Sequence, residues 1–253
     1  MAELIGLLGK PGAGKSTSMR NLDPKSTFII NVAHKPLPIK GWKKKYINFK
    51  TDKVNGNYYA TSDVKAIHTI LKHVSANRPE IKVIILEDSS YIMSFEIFDR
   101  ASENSYTKQV EIAQHYAGVL RQAHELRDDL MLVVITHPDE EKDSFGDTTE
   151  LKMKTYAKMT DKYMSLDGLF TYIFLAKTIE EEDGDEDNPT YRYVFQTNDH
   201  SKISTVKSPD GVFAEKYIDN DLKIVVDAIN AYNYGDDEDD EPEITNQVEE
   251  EDE

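Results

Sequence analysis

The sequence predicts an α/β protein with a mostly parallel sheet covered by helices on both faces. Three observations lead there. Short, near-continuous apolar runs at residues 4–8, 27–33, 81–86 and 131–137 alternate with stretches of helical spacing, the pattern of strands buried on both sides. The first run feeds directly into Gly9-Lys10-Pro11-Gly12-Ala13-Gly14-Lys15-Ser16, which fits G-x-x-x-x-G-K-[ST]. The third ends in two acids, Glu87 and Asp88.

Taken in order, residues 4–8 are the first strand, and residues 16–22 are compatible with a helix after the glycine-rich loop. Residues 27–33 form the second strand. A connection containing Lys35-Pro36-Leu37-Pro38 follows, then a short extended segment at 46–49. Over 62–76, Val64, Ile67, Ile70, Leu71 and Val74 fall at helical spacing, with Ser62 as cap. The strand at 81–86 runs into Glu87-Asp88-Ser89-Ser90, one long helical stretch covers about 91–127, and the strand at 131–137 ends in Thr136-His137. In the last third, 170–175 and 191–196 read as an antiparallel pair flanking an acidic loop at 180–189. Residues 221–232 form a closing amphipathic helix with Leu222, Val225, Val226 and Ile229 on one side. One core domain, 1–234, is expected, followed by a disordered acidic tail at 235–253.

Charge is unevenly spread. The formal net charge is −17, but residues 236–253 carry twelve acids and no bases, and 180–187 carry seven more. The rest of the chain holds 28 acidic against 30 basic residues. The absence of cysteine removes disulfides and thiolate metal sites and fits a reducing compartment. No apolar run approaches the ~20 residues needed to span a bilayer, and the N-terminus lacks a secretory pattern, so a cytoplasmic, non-membrane protein is expected.

The loop chemistry points to a nucleoside triphosphate. Glycines permit a tight turn around phosphates, and successive N–H groups from Gly9 through Thr17 point at negative charge. Lys15 would reach the β- and γ-phosphates, and Ser16 would give a hydroxyl to Mg²⁺. Such a site needs a carboxylate at the end of a buried strand, and Asp88 is the expected metal partner. Because side chains alternate along a strand, Glu87 should face elsewhere, as the base for the attacking water or in a salt bridge. His137, with Thr136, stands where a residue could sense the γ-phosphate and relay its loss to the loop at 138–160.

One basic cluster has interleaved aromatics: the segment from Lys35 to Tyr46, with Lys40, Trp42, Lys43, Lys44 and Lys45 as its candidate contacts, extended by Phe49, Lys50 and Lys53. Lysines neutralise phosphates and rings stack on bases, which suggests single-stranded DNA. The alternative is that Trp42 and Tyr46 pack in the core under a solvated lysine rim. The acidic tail could compete for this cluster when DNA is absent.

Together these pieces resemble the phage RecA-like nucleotide-binding proteins, an AAA-type ATPase family that includes single-strand annealing recombinases. The resemblance runs from Gly6 to about Tyr232. It is carried by Gly9 to Thr17, the Lys35-Pro36-Leu37-Pro38 connection, Leu86-Glu87-Asp88-Ser89, Thr136-His137, residues 207–213 and the Asn220-Asp221-Leu222 helix start. It implies a RecA-type core, ATP and Mg²⁺ as ligands, a homo-oligomer, and work on DNA in recombination or replication with other proteins of those processes, in the cytoplasm of a phage host. RecA-type enzymes commonly carry a catalytic glutamate at the end of the strand after the first helix. Ala33-His34 stands there, leaving hydrolysis slow or resting on Glu87. Lys202 and Lys207 could reach a neighbouring subunit's nucleotide. Two other readings stand beside this one: a small-molecule or nucleotide kinase, against which the presence of only six arginines counts, and a non-catalytic ATP-dependent module that delivers a partner.

Overall fold

The computed structural model describes all 253 residues except 104, 156–164, 182–189, 202 and 236–253. Three sequence expectations therefore lie wholly or mostly outside the described residues: the tail, most of the acidic loop, and the role of Lys202.

The strands are β1 (Glu3–Leu8), β2 (Thr27–Asn31), β3 (Tyr58–Ala60), β4 (Val83–Glu87), β5 (Met131–Thr136), β6 (Pro138–Lys142), β7 (Thr148–Met153), β8 (Tyr172–Glu180), β9 (Tyr191–Gln196) and β10 (Tyr217–Asp219). The α-helices are α1 (Trp42–Lys45), α2 (Val64–Asn77), α3 (Tyr91–Asp99), α4 (Tyr106–Arg121) and α5 (Leu222–Tyr234). Eight strands make one sheet in the order β10-β9-β8-β1-β5-β4-β2-β3, and β6 pairs with β7 alone. From β8 to β3 every pairing is parallel, while β9 and β10 extend the β8 edge antiparallel.

Alternation along the central strands sorts the core into two layers. Leu4, Leu8, Phe28, Ile30, Ile84, Leu86, Leu132 and Val134 meet α2 and α4 through Ile67, Ile70, Leu71, Val74, Tyr116 and Leu120. Ile5, Leu7, Ile29, Ile85, Val133 and Ile135 face the other way, onto Met19 and the apolar side of α5. Each fully buried Leu or Ile contributes about 1.5–3 kcal/mol relative to exposure. The strand ends that carry polar residues are thus fixed by apolar packing beneath them.

Several elements differ from the sequence expectation, each for a local reason. After the glycine-rich loop there is a short 3-10 helix, Thr17–Asn21, which ends where Leu22 turns extended. Its end is tied to the start of α5: Arg20 donates to the Asn220 carbonyl at 2.6 Å, and Asn21 Nδ2 to Asp221 Oδ2 at 2.5 Å. Asp63, not Ser62, caps α2 by accepting from the Lys65 N–H at 3.1 Å. The long helix splits into α3 and α4, because Ser105 adopts an extended backbone and caps α4 from the Lys108 N–H. At the corner Arg100 is ion-paired with Glu96, Glu103 and Glu111. The loop after His137 contains the β6–β7 hairpin, with Gly146 at φ 91° in its tip. Its residues are mostly polar, and only Leu151 and Met153 at the end of β7 alternate into the core. Among the described residues no helix is long and apolar enough to cross a membrane.

Candidate active site

The glycine-rich loop lies at the C-terminal ends of the parallel strands, between β1 and the 3-10 turn. Two glycines are required by geometry. A Cβ on Gly9 would stand 2.9 Å from the Ala176 carbonyl oxygen, and Gly14, at φ 86°, would press a Cβ to 3.1 Å from Asn220 and Tyr193. Lys15 is buried and folds back over the loop, donating to the carbonyls of Gly9 at 2.6 Å and Lys10 at 3.0 Å. Burial lowers its pKa, with Glu87 and Asp88 opposing the shift. Pro11, Gly12 and Thr17 are exposed on the rim, and Ala13 and Ser16 are half-buried. Lys10 reaches outward to Glu140 on β6, 2.7 Å away.

The two acids at the end of β4 divide their contacts sharply. Ser16 donates its hydroxyl to Glu87 Oε1. Glu87 is buried, its other oxygen Oε2 has no hydrogen-bond partner, and desolvation raises its pKa to about 7. Asp88 is paired with other side chains. Its Oδ2 lies 2.5 Å from Lys35 Nζ, and its Oδ1 lies 3.7 Å from His137 Nε2. His137 also meets Tyr91 edge-on, and burial lowers its pKa, helped by the positive Lys15 nearby. Asp88 has φ 57°, a left-handed conformation costly for a residue with a Cβ; His34, next to Lys35 in sequence, has the same φ.

These side chains suit a hydrated divalent cation. The Ser16 hydroxyl is a hard oxygen donor, and the unpartnered Glu87 Oε2 can accept from a metal-bound water. No cluster of three or more His, Asp or Glu side chains suited to direct coordination occurs among the described residues. The remaining ligands would have to be phosphate oxygens and water.

A cleft of about 670 Å³ opens above the loop, running from Asp88 and His137 past Lys15 to Arg20, Tyr193 and Asn220. Sequence reasoning missed the far wall. Tyr193 comes from β9 and is half exposed, while Asn220, at the entry to α5, donates to the Ala13 carbonyl at 3.3 Å. Asn220 belongs to a recognisable helix start, but no pattern places it against a loop about 200 residues away.

The basic aromatic cluster runs between β2 and β3, and its first residues, Lys35 and Pro38, line the cleft. Lys40, Lys43, Lys44 and Lys45 are exposed. Tyr46 and Phe49 are core residues, and Trp42 is half-buried against Tyr58 with ring centroids 5.4 Å apart. Lys53 covers the Phe49 ring at 4.4 Å. Lys207 is anchored within its own chain, donating to the Asp167 carbonyl at 3.0 Å.

No protein-family model matches the chain, and no curated protein matches it in sequence.

Proposed function

We propose that the chain is a Mg²⁺-dependent nucleoside triphosphatase, using ATP and acting on single-stranded DNA. The observation that carries the reading is the convergence of Lys15, Ser16 and Asp88 at one end of the sheet, lining a cleft large enough for a nucleotide, with Glu87 bonded to Ser16 beside it. The strand order supports a RecA-type core: β5 stands between β1, which feeds the loop, and β4, which carries the acids.

In this reading Lys15 exchanges the Gly9 and Lys10 carbonyls for β- and γ-phosphate oxygens and offsets their charge. Ser16 and Glu87 hold the hydrated Mg²⁺, which when bound neutralises charge developing on the phosphates. The Ser16–Glu87 hydrogen bond supports this role for Glu87, leaving Asp88 to orient the attacking water. The water oxygen bonds to the γ-phosphorus as the β–γ bridge bond breaks, and its proton passes to Asp88. His137 steadies the Asp88 carboxylate and meets the γ-phosphate side of the cleft.

Single-stranded DNA is proposed on the strength of the exposed lysines at 40, 43, 44 and 45. With Tyr46 and Phe49 packed inside, that surface acts on the phosphate backbone by charge and not by stacking of those rings. Assembly into homo-oligomers on DNA, alongside replication or recombination proteins, belongs to the same proposal.

The test is ATP hydrolysis by purified protein with Mg²⁺, with and without single-stranded DNA, beside Lys15→Ala. Turnover that DNA stimulates and the variant abolishes is expected. Hydrolysis unchanged in Lys15→Ala would sink the reading, and transfer of phosphate to a small-molecule acceptor would favour a kinase.

A further inference from the structure

We propose that Lys35 is a switch that reads the γ-phosphate: held on Asp88 when the site is empty, its ammonium moves to a triphosphate, but not to a diphosphate, and thereby frees Asp88. This rests on the nucleotide reading above and goes beyond it by naming what distinguishes the two nucleotides.

The backbone of Lys35 is fixed while its side chain is free to swing. Asn31 Nδ2 donates to the Lys35 carbonyl at 2.6 Å, Pro36 follows, and Leu37 and Ile39 are buried anchors. The Lys35 side chain is 58% exposed, whereas that of its partner Asp88 is 3% exposed. The lysine can therefore leave and the aspartate cannot. Lys35 lines both the main cleft and a smaller cavity of about 150 Å³ beside Ser16 and Glu87. It stands close enough to Lys15 and His137 to act on the charge of both. Three donors thus converge where a terminal phosphate would enter.

Electrostatics set the direction of exchange. A buried carboxylate without a cation is costly, so the empty site keeps Lys35 on Asp88. A γ-phosphate brings more charge and three acceptor oxygens, and competes for the same ammonium. His137, 3.7 Å from the other Asp88 oxygen, remains beside the carboxylate when Lys35 departs. A diphosphate ends short of this point and leaves the pair intact. The two non-glycine residues with left-handed backbone among those described, His34 and Asp88, border the two sides of this one ion pair. Strain concentrated there is what a poised contact requires.

The experiment is calorimetric binding of Mg²⁺-ATP and Mg²⁺-ADP to the full chain, to Lys35→Gln, to Lys35→Arg and to Asp88→Asn, with Lys15→Ala as reference. Lys35→Gln should weaken ATP by about tenfold or more while ADP changes by less than about twofold, since one lost charge contact is worth roughly a decade in affinity. Lys35→Arg should recover most of the difference, and Asp88→Asn should tighten ATP selectively because the lysine is no longer held. Equal loss of both nucleotides in Lys35→Gln, or loss of neither, overturns the switch and leaves the nucleotide site standing. Failure of the unmodified chain to bind either nucleotide, or binding indifferent to Lys15→Ala, overturns the site reading and the switch with it.

Discussion

Lys10, in the glycine-rich loop, is ion-paired to Glu140 on β6 across 2.7 Å. The loop and the hairpin that follows His137 are thereby joined by one contact, with the lysine side chain 61% exposed. Such a pair adds little to stability, about 0–1 kcal/mol. Glu140→Gln should leave the melting temperature nearly unchanged and tighten ATP by a factor of about 2–5, since Lys10 is released toward the phosphates. Nucleotide titrations at low and high salt check this; identical affinities in both proteins would mean that Lys10 plays no part.

The two acids of β4 should fail differently. Glu87→Gln and Ser16→Ala should raise the Mg²⁺ concentration needed for half-maximal turnover by about tenfold or more. Asp88→Asn should cut the rate at saturating Mg²⁺ by about 100-fold or more, the size of effect typical of a removed catalytic base. Metal titrations of the three variants separate the roles. A metal requirement raised by Asp88→Asn and not by Glu87→Gln would restore the assignment expected from sequence, with Asp88 on the metal.

Glu87 also predicts a pH dependence for the metal-free, nucleotide-free protein. Its folded pKa, raised by desolvation to about 7, exceeds its ordinary value of 4.5, so the folded state binds the proton more tightly than the unfolded state. Its contribution to stability is therefore complete below about pH 4.5 and is lost as pH rises through about 7. In chelator, the melting temperature should fall by roughly 3 °C or more between pH 5 and 8, and Glu87→Gln should flatten that slope. Parallel slopes for the two proteins would assign the pH response to other groups.

The cap of α2 offers a test outside the site. Asp63→Ala should cost about 1 kcal/mol, while Ser62→Ala should cost a few tenths at most. Chemical denaturation of both variants distinguishes them, and equal effects would mean that the Asp63 contact is not a working cap.

That cap illustrates what could be read in advance. The apolar runs gave away the central strands, because a strand buried on both faces leaves few polar positions. The apolar stripe of α5 was equally plain, down to Leu222, Val225, Val226 and Ile229. Choosing Asp63 over Ser62 required knowing which backbone is extended, and neighbouring polar residues do not reveal that. At the site, alternation implied that Glu87 and Asp88 part ways, with Asp88 expected beside Ser16 on the metal, whereas the Ser16 hydroxyl bonds to Glu87. The contact that forms, Ser16 to Glu87, depends on how the chain turns after β4, where Asp88 has a left-handed backbone, and no residue pattern encodes that turn. Tyr193 and Asn220 reach the loop only through the order of strands in the sheet. The β6–β7 hairpin escaped notice because β6 is polar throughout and only the end of β7, Leu151 and Met153, turns apolar residues into the core.

Both borders of the large sheet are made of three-residue strands, Tyr58–Ala60 on one side and Tyr217–Asp219 on the other. So short a border offers almost no open row of backbone donors and acceptors, which guards against runaway stacking of one copy's sheet onto the next. Any polymer this chain builds is thus steered away from a continuous intermolecular sheet and toward joints made by side chains, which salt and single substitutions can loosen.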